Sequence, residues 1–199
     1  MNLNKNVNVK FYLDERFKMR FREIYENLNQ TYSFSSVQFK YDNEIAGEVL
    51  RFSSILLKED DLYYDEDGGC GRENDIHTTI LYGIISPSSN KVRSLLNKLT
   101  PFEVELGDIS FFEQEEYDVM KIEVHSSYLY YINALLKENI DYQTNYPEYI
   151  PHCTIAYLKK GIKERLNFDK RYFNGMKQDV FSVEFSSKDG SLEKIKLNG

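Results

Sequence analysis

Two histidines and two threonines recur in a spacing that suits phosphodiester chemistry. Ile76-His77-Thr78-Thr79-Ile80-Leu81-Tyr82 and Pro151-His152-Cys153-Thr154-Ile155-Ala156-Tyr157 each contain His-x-Thr-Ile-x-Tyr. The chain holds only three histidines, so two of the three fall in one repeated pattern. An unperturbed imidazole titrates near neutrality, at about 6.5, so a pair can serve as base and acid at one site. Cleavage of a phosphodiester by a neighbouring ribose 2′-hydroxyl needs little more. A base takes the hydroxyl proton, an acid protonates the leaving 5′-oxygen, and hydroxyl donors hold the non-bridging oxygens. No metal is required for these steps, and the sequence offers no closed set of metal ligands. The third histidine, His125, has no companion Thr and precedes a helix pattern, so it reads as a surface or capping residue.

The β-rich residues after each histidine predict strands. Side chains alternate faces in a strand, so His77 and Thr79 share one face, as do His152 and Thr154. Cys153, Ile155 and Tyr157, like Thr78, Ile80 and Tyr82, are then expected on the opposite, core-facing side. Two such strands facing one another would place two imidazoles and two hydroxyls around one cleft.

The other elements follow from periodicity. Apolar residues at Phe17, Phe21, Ile24 and Leu28 predict an amphipathic helix over 14–29, within an N-terminal extension of residues 1–34. Residues 35–199 form a single domain. Residues 35–41 read as a strand with Val37 and Phe39 on one side. Asp42 or Asn43 caps a helix with Ile45, Val49, Phe52 and Leu56 as its stripe. Residues 58–72, rich in Asp, Glu and Gly, lack the regular ligand spacing of a calcium loop and read as a solvated connection. A further helix carries Val92, Leu95, Leu96 and Leu99 and stops at Pro101. Strands are expected over 102–109 and 117–124. Ser126 or Ser127 then caps a helix with Leu129, Ile132 and Leu135 inward. Lys159 and Lys160 read as solvated. A hairpin over 180–185 and 192–197 turns around Lys188-Asp189-Gly190-Ser191. The order is an approximate duplication of a strand and helix unit. It predicts an α+β fold of two pseudo-symmetric lobes of antiparallel-rich sheet, helices outside, with each His strand central in its lobe.

Composition narrows the partners. With 199 residues, 41% hydrophobic, the chain can build one sizeable core. A net charge of −7 disfavours a dedicated binder of long nucleic acid and leaves room for a small anionic ligand in a local cationic pocket. No apolar run is long enough for a membrane span, and the N-terminus lacks the apolar core of a signal peptide. Cys70 and Cys153 suit a reducing cytoplasm.

The paired motifs resemble the 2H phosphoesterase superfamily, defined by two His-x-Thr/Ser motifs in a bilobal fold. The resemblance covers roughly residues 35–197. The stretches Asp60-Asp61-Leu62-Tyr63, Gly71-Arg72-Glu73, Tyr117-Asp118-Val119 and Tyr146-Pro147-Glu148-Tyr149-Ile150-Pro151 look like the phage-encoded branch. That branch includes anti-CBASS phosphodiesterases, which degrade cyclic di- and trinucleotide immune signals. The resemblance implies metal-independent 2′-oxygen attack on a 3′–5′ linkage, with His77, Thr79, His152 and Thr154 as the catalytic tetrad and no cofactor. It implies an aromatic near the first strand, for which Phe39 and Tyr41 are candidates, and a late acidic residue, for which Glu184 is one. The chain has no Trp for base stacking, so a Tyr or Phe must serve. It also implies action in the cytoplasm, that of the host where such a chain is phage-encoded. Two alternatives stay open: an RNA-end enzyme acting on 2′,3′-cyclic phosphates or 2′–5′ ends, and a binding protein that sequesters a nucleotide.

Overall fold

The computed structural model describes residues 33–199 apart from Asp67 and Pro147; the helix expected over 14–29 lies outside the described residues. Strand β1 (Ser35–Lys40) is followed by α1 (Asn43–Leu56) and β2 (His77–Ile84). Helix α2 (Asn90–Leu96) leads to the long antiparallel pair β3 (Phe102–Glu113) and β4 (Tyr117–His125). Helix α3 (Ser127–Asn139) precedes β5 (His152–Lys159), and three short strands end the chain: β6 (Lys177–Val180), β7 (Ser182–Ser186) and β8 (Leu192–Lys196).

Local chemistry sets these boundaries. Asp42 caps α1, its Oδ1 accepting from the amides of Glu44 and Ile45. Ile45, Val49 and Phe52 are buried as their spacing requires. In α3 the buried residues include Leu129, Ile132, Asn133 and Leu136, with Leu135 partly buried against the core beside them. The β7–β8 hairpin closes around Gly190 at φ +83°, with Asp189 Oδ1 accepting from the Ser191 amide.

The strands form two four-stranded antiparallel sheets, in the orders β2-β1-β7-β8 and β5-β4-β3-β6. The α+β, two-lobed expectation holds, with one correction. Each His strand is the edge of its sheet, not its centre, and the two edges lie beside each other. An uncovered edge would leave a row of backbone groups unpaired. Each is covered by a connection from the other half of the chain. Residues 62–73 run along β5: Tyr63 N donates to Tyr157 O (2.9 Å), Tyr157 N to Gly71 O (2.7 Å) and Glu73 N to Ile155 O (3.0 Å). The acidic loop is therefore a structural cover for a site strand. Arg72 fixes it to the end of α1 through Ser53 Oγ (2.8 Å) and Leu57 O (3.0 Å). Along β2, Gln143 N donates to Gly83 O (2.8 Å), Asn133 Nδ2 to Ile80 O (2.7 Å) and Tyr149 Oη to Thr79 O (3.2 Å).

Both His strands also carry a bulge at the same place. The pairing of β1 with β2 slips between Val37 and Gln38, so that Ile80 is the extra residue; the pairing of β4 with β5 slips between Met120 and Lys121, leaving Ile155 extra. A one-residue slip sends every later side chain to the other face. Tyr82 is consequently 45% exposed and Tyr157 only half-buried, whereas simple alternation placed both in the core.

Candidate active site

The tetrad residues sit on the half-open faces of the two adjacent edges. His77 and Thr79 alternate with buried Thr78 and Ile80, and His152 and Thr154 with buried Cys153 and Ile155. The two imidazoles are held alike. His77 Nδ1 lies 2.5 Å from Asp75 O, and His152 Nδ1 lies 2.7 Å from Ile150 O, in each case the carbonyl two residues upstream. A carbonyl only accepts, so Nδ1 must carry the proton in both rings. Nε2 is then the atom left to take or give a proton in each. The same backbone turn thus fixes ring orientation and tautomer twice.

Burial pushes the His152 imidazole below its ordinary 6.5, because desolvation disfavours imidazolium; the Ile150 carbonyl opposes this, while the charges of Lys121 and His77 reinforce it. The neighbouring β2 and β5 bring His77 near His152, and Lys121 lies on the strand paired with β5. The Phe112 and His152 rings pack nearly perpendicular, 4.9 Å between centroids.

On the neighbouring strands, registry names the other residues of this face. Lys40 lies opposite His77, Gln38 opposite Thr79, and Glu184 opposite Gln38. Lys40 Nζ contacts Asp75 Oδ1 at 3.0 Å and Glu184 Oε2 at 3.4 Å. Lys40 thus ties Asp75 and Glu184 together on the face that carries His77. In the second sheet, Glu123 lies opposite His152 and Lys121 opposite Thr154, with Ser110 opposite Lys121 on its far side.

Phe39 and Tyr41 do not share the face that carries His77 and Thr79. Both are buried, and their rings pack at 5.2 Å; Phe39 faces Thr78, and Tyr41 Oη bonds to Thr78 Oγ1 at 2.8 Å. Alternation decides the matter, because residues 37 and 39 share the core face and 38 and 40 share the other. Lys160 is not simply solvated: it pairs with the buried Asp118 carboxylate at 2.8 Å. Lys159 donates to Asp60 O at 3.0 Å. His125 is exposed at the end of β4, as expected. Cys70 and Cys153 are both free thiols, the second fully buried. Sequence reasoning missed Ser110, Phe112 and Lys121. The first two lie past the expected end of β3, and the third was one lysine within an apolar strand.

Two sheets with paired histidines on adjoining edges define a class, the two-lobed His-x-Thr phosphoesterases. The model of the 2′-5′ RNA ligase superfamily matches residues 72–185, which include both motifs, and the chain belongs to that family. It is thereby a phosphoesterase. Solved structures share the fold at low identity. TT0787 of Thermus thermophilus superposes with a TM-score of 0.57 at 13% identity, covering 83% of this chain and 98% of its own. E. coli LigT complexed with NADP+ gives 0.56 at 16%, covering 84% and 99%, and LigT complexed with phosphate gives 0.53 at 15%, covering 84% and 95%. No curated protein sequence matches the chain.

Proposed function

We propose that this phosphoesterase opens the 3′–5′ linkages of cyclic di- or trinucleotide immune signals by attack of a ribose 2′-oxygen, and so blunts CBASS-type antiviral signalling. The observation that carries the chemistry is the matched pair of imidazoles, each with Nδ1–H locked and Nε2 available. His152, whose protonation the site disfavours, is the base that takes the 2′-hydroxyl proton. His77 is the acid that protonates the departing 5′-oxygen. The 2′-oxygen bonds to phosphorus as the P–O5′ bond breaks, giving a 2′,3′-cyclic phosphate; water attack through the reversed roles opens it to a terminal phosphate. Thr79 and Thr154 hydrogen-bond the non-bridging oxygens. Glu184, paired with Lys40 beside Gln38, is the acidic residue that lines the ligand's side of this face.

A small substrate is favoured by charge. A chain at −7 repels a long polyanion, while a cyclic dinucleotide carries only two phosphates. Phe112 beside His152 offers an aromatic surface, and base–aromatic stacking contributes about 1–3 kcal/mol per base. The phage origin and the immune target rest on the sequence stretches that resemble that branch.

A second reading is favoured by the family itself: an RNA-end enzyme acting on 2′,3′-cyclic phosphates or 2′–5′ ends. The likeness to LigT bound to phosphate and NADP+ supports a nucleotide ligand under either reading. The test is incubation in EDTA with 3′,3′-cyclic dinucleotides and, separately, with RNA ending in a 2′,3′-cyclic phosphate. Linear product from the cyclic dinucleotide supports the first reading. Turnover of the RNA end alone supports the second. Tight retention of nucleotide without product would leave only sequestration.

A further inference from the structure

The two sides of the cleft are alike in backbone and unlike in charge. On the β1–β2 side, Lys40 is flanked by two carboxylates, Asp75 and Glu184. On the β4–β5 side, Lys121 is 4% exposed and has no carboxylate within ion-pair distance among the described residues; Glu123, two residues along and opposite His152, acts on it only from farther away. Its Nζ donates to Ser110 Oγ at 2.7 Å and stands 4.5 Å from the centroid of the Phe112 ring. An ammonium has three donors, and Ser110 takes one. Lysine is almost never buried without a partner, since stripping water from its charge is expensive. Phe112 offers weak compensation through its ring face.

Geometry says where the remaining donors are useful. Lys121 lies directly across the strand pair from Thr154, so the two side chains share a face about 5 Å apart at Cβ. The Phe112 ring that Lys121 covers is the one that packs against His152. Lys121 and His152 therefore pack against the same aromatic ring, with Thr154 beside Lys121 across the strand pair.

We propose that Lys121 is an anion-binding residue, gripping a non-bridging phosphate oxygen between Thr154 and His152. The compensated Lys40 has no such surplus. The cleft is then polarised, and the phosphate is held towards β4 and β5 while the Glu184 side meets neutral donors of the ligand. The pseudo-symmetry of the fold would allow two substrate orientations; the unpaired lysine selects one. Assigning that phosphate to a phosphodiester substrate rests on the function proposed above; the anion site itself does not.

Lys121→Met keeps the length of the stem and removes the charge, whereas Lys121→Arg keeps the charge. Binding of inorganic phosphate is followed by calorimetry, and KM and kcat are measured with the cyclic dinucleotide. Lys121→Met is expected to weaken phosphate at least tenfold and raise KM, with Lys121→Arg recovering most of the loss. Equal phosphate affinity in wild type and Lys121→Met overturns the proposal. In wild type, the Lys121 15Nζ and 13Cε resonances should move on phosphate titration, a readout that needs no variant to fold. Unmoved resonances also overturn it. Lys121-dependent phosphate binding by a wild type that cleaves neither substrate would sink the proposed reaction and leave the anion site standing. Turnover with phosphate affinity indifferent to Lys121 would do the reverse.

Discussion

The proposed chemistry rests on two ring nitrogens, each left free by the hydrogen bond that its neighbour nitrogen makes. Because Asp75 O and Ile150 O take the Nδ1 protons, truncating either histidine removes a proton donor or acceptor without touching the core. His77→Ala and His152→Ala should each lower kcat/KM at least about a hundredfold, with circular dichroism unchanged. Wild-type turnover in either would refute the assignment. Thr79→Val and Thr154→Val lose one hydrogen bond to charged oxygen, worth about 1.5–3 kcal/mol, so roughly ten- to a hundredfold losses are expected from initial rates. The pH profile follows from His152. Its imidazolium is disfavoured by desolvation, and a base must be unprotonated to work, so activity rises with pH through a value below the ordinary 6.5. An acidic limb centred above 6.5 would exclude His152 as the base. Lys121→Met should shift that limb upward, because a neighbouring positive charge no longer opposes protonation.

Strands, bulges and edge covers convert those residues into a site. A central strand would have its backbone groups paired by two neighbouring strands; an edge strand can meet its counterpart from the other sheet. The covering segments make that arrangement safe, and Gly83 shows how tightly. It adopts φ +94°, and a Cβ there would sit 1.9 Å from Gln143 O, the segment whose amide bonds back to Gly83 O. Gly83→Ala is expected to destabilise by at least about 1–3 kcal/mol, measured by urea unfolding, through forbidden backbone and a displaced cover. Tyr149→Phe should cost less, about 0.5–1.5 kcal/mol, for the bond to Thr79 O. At this scale the helices were largely legible, since a 3.6-residue stripe survives packing. The bulges at Ile80 and Ile155 were not. Nothing in Ile-x-Tyr distinguishes straight alternation from a slip, and that slip is what moved Tyr82 and Tyr157 out of the core.

The whole molecule combines two sheets, related by an approximate repeat, with a net charge of −7. A ligand of few phosphates can enter where a long polyanion is repelled. For a cyclic dinucleotide, kcat/KM should fall less than about tenfold between roughly 50 and 200 mM salt, well short of the loss for a protein making 6–10 phosphate contacts. A steep salt dependence in steady-state assays would instead favour an extended RNA substrate. Among the described residues, no helix is long and apolar enough to cross a membrane.

The order of residues alone was enough to single out the two-lobed α+β class and the family, and to propose the tetrad. A repeated His-x-Thr is a local pattern, and strand alternation projects its two polar residues together without help from the rest of the chain. What surrounds them came only from the packed molecule. Phe39 and Tyr41, the aromatics that the resemblance suggested, are buried in the core, and Lys121, Ser110 and Phe112 were found beside the histidine strand only through registry between strands. Register depends on pairing partners far apart in sequence and on single-residue slips. Neither leaves a mark in the order of residues on one strand.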